Sequence, residues 1–202
     1  MQNQFRDNHP RFDFATQHPR WASWRVNRPY GLATAAALTG WCGYGAASYY
    51  DYGENIYYQD GNVYSDGQQF ATAAQYDSAA EQIATNIAPT KDPEWMPLGV
   101  FALTKDGQAS GPAPTMYLQL NVSKDGIIAG SFQNTGLGVS QPLEGMVDKK
   151  SQRAAWVVAG KTRPLMECGV FNLTKETAPA MVHFENGQTQ QMLLVRMNEP
   201  KE

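Results

Sequence analysis

The stretch MYLQLNVSKDGIIAGSFQN, Met116 to Asn134, decides the fold class. Met116, Leu118, Leu120 and Val122 alternate with Tyr117, Gln119 and Asn121, the period of a strand with one face on a core and one in water. Lys124-Asp125-Gly126 then supplies turn chemistry, and Ile127 to Gln133 reads as the returning strand.

The same texture runs outward from this hairpin. Leu98 to Thr104 precedes it; Leu143 to Asp148, Arg153 to Val158, Leu165 to Leu173, Ala180 to Glu185 and Thr189 to Met197 follow. Their connections are of hairpin length: Lys149-Lys150-Ser151, Gly160-Lys161-Thr162 and Asn186-Gly187. About eight hairpin-linked strands with no helix between them predict a mainly β protein. The expected form is an antiparallel meander closing into a lipocalin- or avidin-like barrel, because closure removes exposed edges. A two-sheet sandwich is the second architecture.

Upstream the organisation changes. Residues 1–48 read as an extended aromatic arm ending in the short apolar segment GLATAAALTGWCGYGAA, too short and too weakly apolar for a membrane span. Residues 49–94 hold a tyrosine-rich hairpin, a helix and a linker; residues 95–202 form the barrel domain. In YYDYGENIYYQDGNVYSDGQ, Tyr49 to Gln68, the pairs Asp60-Gly61 and Asp66-Gly67 suit the tight turns of a small meander. So small a sheet is marginal in water, so its rings are expected to bury against a larger body. Thr72 and Gln75 fit a capping box, and Tyr76, Ala80, Ile83 and Ile87 share one face, predicting a helix from about Ala73 to Ile87.

Composition bounds the partners. A net charge of −3 and a pI near 5.6 give no basic surplus to neutralise phosphates, which argues against a nucleic-acid partner. Cys42 and Cys168 match no metal spacing, and one long-range disulfide or two free thiols remain open. The acidic residues Asp51, Glu54, Asp60 and Asp66 lack the calcium-loop order, so no metal or cofactor is expected.

No nucleophile elbow, P-loop or dinucleotide fingerprint is present, and an enzyme is not expected. His183 and Glu185, two apart, are expected to share the wet face of a strand, while Glu144, Asp148 and Glu167 sit on separate strands beside Arg153, Arg163 and Arg196 as ordinary ion partners. The aromatics Trp21, Trp24, Trp41, Tyr57, Tyr58 and Tyr64 are the candidate interaction residues. Trp95, Phe101, Trp156 and Phe171 are the candidates for lining a ligand cavity in the barrel mouth.

The strings WRVNRPYGLATAAALTGW, YYDYGENIYYQDGNVY, LQLNVSKDGIIAGSF, VDKKSQRAAW and VHFENGQTQQMLLVRM run in this order from Trp24 to Met197. In them the chain resembles a family of planctomycete-type bacterial proteins, some of which carry the label mu-protocadherin or cell-surface protein. The resemblance implies a cell-envelope or periplasmic setting and carries no catalytic residues. A secreted member would begin with a clear signal peptide, which residues 1–30 do not show. The expected function is a non-enzymatic structural or interaction protein of the envelope, its arm and hairpin mediating self-assembly or contact with a protein partner, in association with the membrane or envelope. The alternative is a barrel that carries a glycan or a small apolar ligand.

Overall fold

The computed structural model describes residues 33–87, 93–105 and 114–197. Eight strands form one closed antiparallel barrel: β4 (Trp95–Lys105), β5 (Met116–Ser123), β6 (Ile127–Asn134), β7 (Val139–Val147), β8 (Arg153–Val158), β9 (Leu165–Gly169), β10 (Thr177–His183) and β11 (Thr189–Arg196). Each pairs with its neighbour in sequence, and β11 closes on β4 from Met192 opposite Lys105 to Arg196 opposite Phe101. The meander read from the sequence is the fold, and no barrel strand keeps an open edge.

Inward-facing side chains make one core. Leu118, Leu120 and Val122 of β5 meet Ile128 of β6, Leu143 of β7, Trp156 of β8, Met166 and Cys168 of β9 and Leu194 of β11. Cys42 and Cys168 are free, buried thiols, which answers the disulfide question.

The wet face expected on β5 is a correction. Gln119, Asn121, Ser131 and Gln133 point outward yet are buried, at 4% exposure or less. The alternation is real, but the polar face is covered as well as the apolar one, and Asn121 Nδ2 donates to Ala129 O at 3.2 Å across the strand pair.

A helix that the sequence reading missed, α1 (Ala35–Cys42), joins the core through Leu38 and Cys42, and Cys42 Sγ reaches Ser123 O at one end of the barrel. Thr34 caps it, its hydroxyl accepting from Ala37 N. Alanine and glycine give this stretch almost no amphipathic contrast, so periodicity could not announce it. At the same end Arg196 donates from Nε to Lys175 O at 3.2 Å and from Nη1 to Leu98 O at 2.9 Å, with its guanidinium over the Phe101 ring.

Outside the barrel, β1 (Ile56–Gln59), β2 (Asn62–Ser65) and β3 (Gln68–Thr72) form a three-stranded sheet. Both connections turn left-handed, with φ of 49° and 75° at Asp60 and Gly61 and 49° and 80° at Asp66 and Gly67, as the Asp-Gly pairs predict. Helix α2 (Ala73–Thr85) follows directly. Its capping box is formed: Gln75 N donates to the Thr72 hydroxyl, and Gln75 Oε1 accepts from Thr72 N. It ends two residues before the predicted Ile87. Ala80 and Ala84 bring it close against Ala155, Val157 and Leu165 on the outer wall of β8 and β9.

Two side-chain amides fasten the chain between α1 and β1 to the barrel. Gln152 accepts from Ser48 N at 2.7 Å and donates to Ala46 O at 2.9 Å; Asn172 accepts from Tyr50 N at 2.8 Å and donates to Asp51 Oδ1 at 3.0 Å. With the bond from Asn172 Nδ2 to Tyr50 O at 3.2 Å, they satisfy backbone groups of a segment that lies outside any strand.

Candidate functional site

Where the tyrosine sheet and α2 meet the barrel wall, the register of three strands assembles a charged cluster. Glu167 on β9 stands opposite Ala155 of β8 and Met181 of β10. Arg153 and His183, each two residues along from those partners, therefore flank it diagonally on the same outward face. Arg153 donates from Nε to Glu167 Oε2 at 3.1 Å and from Nη2 to the same oxygen. His183 Nε2 lies 2.7 Å from Glu167 Oε1. Its Nδ1 lies 3.0 Å from Asp77 Oδ1, within ion-pair range but off the hydrogen-bonding line, and 3.3 Å from Thr189 Oγ1.

The cluster is sealed. Glu167 is 0% exposed, His183 2% and Arg153 7%. Arg153 also donates from Nη2 to Tyr76 O at 3.2 Å and lies 3.6 Å from the centroid of the Tyr76 ring, tying the first turn of α2 to the wall. Farther out Arg163 bridges Asp77 and Glu81 of α2 at 2.8 and 3.2 Å. The phenols of Tyr52 and Tyr76 meet at 3.1 Å. Burial, and next the Glu167 carboxylate, push the Tyr52, Tyr58 and Tyr76 phenols well up. Burial alone would draw Arg153 down; the Glu167 charge, the Tyr76 and Tyr52 phenols and the hydrogen bonds to Glu167 together outweigh it and hold the guanidinium protonated.

Beside the cluster a cleft of about 320 Å³ opens between the sheet and the barrel. Ile56, Tyr57 and Tyr58 of β1 form one side; Met181, Thr189 and Gln191 of β10 and β11 form the other. Tyr57 is stacked on its cross-strand partner Tyr64, centroids 5.2 Å apart and planes within 4°. Gln191 Nε2 donates to Tyr52 O at 2.7 Å, which fixes the amide plane in the cleft wall.

Several sequence expectations are redistributed. His183 does not pair with Glu185, which lies exposed past the end of β10; the ring turns to Glu167 and Asp77, because the tyrosine sheet and α2 cover this face instead of water. Glu144 and Asp148 do not join it: Glu144 accepts from Gly160 N and Asp148 caps its turn through Ser151 N. Arg196 bonds carbonyls rather than a carboxylate.

Phe101, Trp156 and Phe171 lie together in the barrel core at 0% exposure. Trp95 does not share that interior. It is a register step out of phase, on the outer wall with Ile127 and Ala129. Tyr58 packs inward edge-on to Tyr76, Tyr57 and Tyr64 form the half-buried outer pair, and Trp41 lies half-buried on α1 with Lys124 Nζ 4.8 Å from its ring. Trp21 and Trp24 lie outside the described residues.

Sequence reasoning missed Asp77, Thr189 and Gln191. A signal for the cluster did exist: RAAWVV and LMECG are apolar on both faces, unlike β5, so a Glu or Arg among them had to be covered and paired.

The chain is thus a meander β-barrel carrying a tyrosine sheet and a helix on its wall. No protein family, curated protein or solved structure matches it in the comparisons made. Among the described residues no group of side chains is placed to hold a metal ion, and no helix is long and apolar enough to cross a membrane.

Proposed function

We propose that the protein is a non-enzymatic interaction protein of the bacterial cell envelope, with the tyrosine sheet as its contact face. The observation that carries this is the buried Arg153–Glu167–His183 cluster beneath the sheet. It ties the first turn of α2, which continues directly from β3, to the barrel wall, and both ring nitrogens of His183 are taken up within it, by Glu167 and by Thr189. His183 Nε2 faces Glu167 Oε1, and its Nδ1 lies between Asp77 Oδ1 and Thr189 Oγ1.

The outer face of the sheet supports the same reading. It presents the half-buried Tyr57–Tyr64 pair, and at the margin of the sheet Phe70 of β3, edge-on to Tyr76, stands 51% exposed. Aromatic side chains in this setting are the residues that protein interfaces enrich. The filled barrel interior favours contact on the wall over carriage of a ligand in the mouth. The envelope setting rests on the resemblance of the quoted strings alone.

Light scattering across a concentration series tests this. The expected result is a defined oligomer, or a stable complex with a protein from the same cells, that Tyr64→Lys weakens. A monomer at every concentration that captures no partner would overturn it.

A further inference from the structure

We propose that the cleft between β1 and the β10–β11 hairpin binds a neutral, hydroxyl-rich sugar ring, so that the partner of the contact face carries glycan. This rests on the sheet being a recognition surface, but not on self-assembly.

Three observations select the ligand class. First, none of the residues lining the cleft bears a charge; the cluster's ions lie behind Thr189 and are spent on one another. An anionic or cationic ligand would find no counter-charge there, and would lose hydration without compensation. Second, the polar groups offered are a hydroxyl and a carboxamide, Thr189 and Gln191, which are the partners that sugar hydroxyls use. Both are positioned before anything binds, Thr189 by His183 Nδ1 and Gln191 by Tyr52 O.

Third, Tyr57, which lines the cleft at its outer edge, is stacked on Tyr64 with planes within 4°, so its ring orientation is set before anything binds. Met181 and Ile56 supply the apolar floor that a pyranose ring's C–H face needs. The volume, about 320 Å³, is that of a small-ligand site rather than a protein groove.

The test is calorimetric titration of the full chain with chitotriose, cellotriose and maltotriose, and with tri-galacturonate as the charged analogue, read together with the methyl resonances of Met181 and Thr189. The expected result is that a neutral trisaccharide binds, shifts both methyls and outcompetes the uronate. Thr189→Val, which keeps shape and removes the hydroxyl, should weaken binding about tenfold, and Tyr57→Leu should do so at least as much, since each loses a contact of order 1 kcal/mol. Absence of heat and of methyl shifts with every neutral sugar at millimolar concentration would overturn the proposal, as would preference for the uronate or indifference to Thr189→Val. If sugars fail while Tyr64→Lys still dissolves an oligomer, the glycan inference falls and the contact-face reading stands.

Discussion

Glu167→Gln probes the cluster most sharply. The substitution keeps volume and hydrogen-bonding capacity but leaves Arg153, 7% exposed, and the His183 ring, 2% exposed, facing a neutral amide. Breaking a buried pair from one side strands the other charge and costs about 3–5 kcal/mol. For a chain of this size each kcal/mol moves the thermal midpoint by about 2–4 °C, so the variant should melt roughly 6–20 °C below the parent. Calorimetry or thermal circular dichroism measures this directly.

The double variant Arg153→Met/Glu167→Met removes both charges and should recover most of the loss, leaving about 1–3 kcal/mol for the orphaned His183 nitrogen. A single variant within about 1 kcal/mol of the parent, or a double variant no better than the single, would refute the view that this cluster is a clamp.

Three further outcomes follow from the packing. Cys42 and Cys168 are buried, and burial raises both thiols above their ordinary value, so neither should react with a thiol reagent at pH 8 until the chain is unfolded, when both should; prompt labelling or missing thiols would contradict this. Gly130→Ala should destabilise by about 3 kcal/mol or more in denaturant titration, because its Cβ would stand 1.9 Å from Gln119 O, where only a strand shift makes room. Asp148 is pushed up by burial but held below the ordinary carboxylate range by bonds from the Ser151 hydroxyl and amide, so its stabilisation is present above the unfolded value of 3.8 and is lost as pH falls through the lower folded value. Asp148→Asn should therefore cost about 1 kcal/mol at neutral pH and progressively less below pH 3.8, and a gap that widens in acid would contradict it.

The barrel was legible because its signals are local. The alternation of Met116 to Val122, the Lys124-Asp125-Gly126 turn and the two Asp-Gly pairs each depend on a few adjacent residues. The capping box of Thr72 and Gln75 marked the start of α2 for the same reason. Helix α1 was illegible because alanine and glycine leave no stripe to detect, and its tertiary contact with Ser123 decides it.

The site was harder still. Asp77, Arg153, Glu167 and His183 come from one helix and three strands, and only the pairing of Glu167 with Ala155 and Met181 sets the diagonals that join them. Pairing His183 with Glu185 followed from strand period alone and failed because the covering elements, absent from any local window, replaced water on that face. The hydroxyl of Thr189 gained its role only when the β10–β11 turn brought it back to His183.

Native mass spectrometry of the protein purified from its own cells, recorded before and after denaturation, tests the central claim that the fixed tyrosine face exists to make contact. The predicted result is a defined oligomer or a protein-bearing complex that denaturation disperses to the 22.3 kDa chain. A bare monomer of that mass under native conditions, with neither protein nor glycan retained, would contradict it.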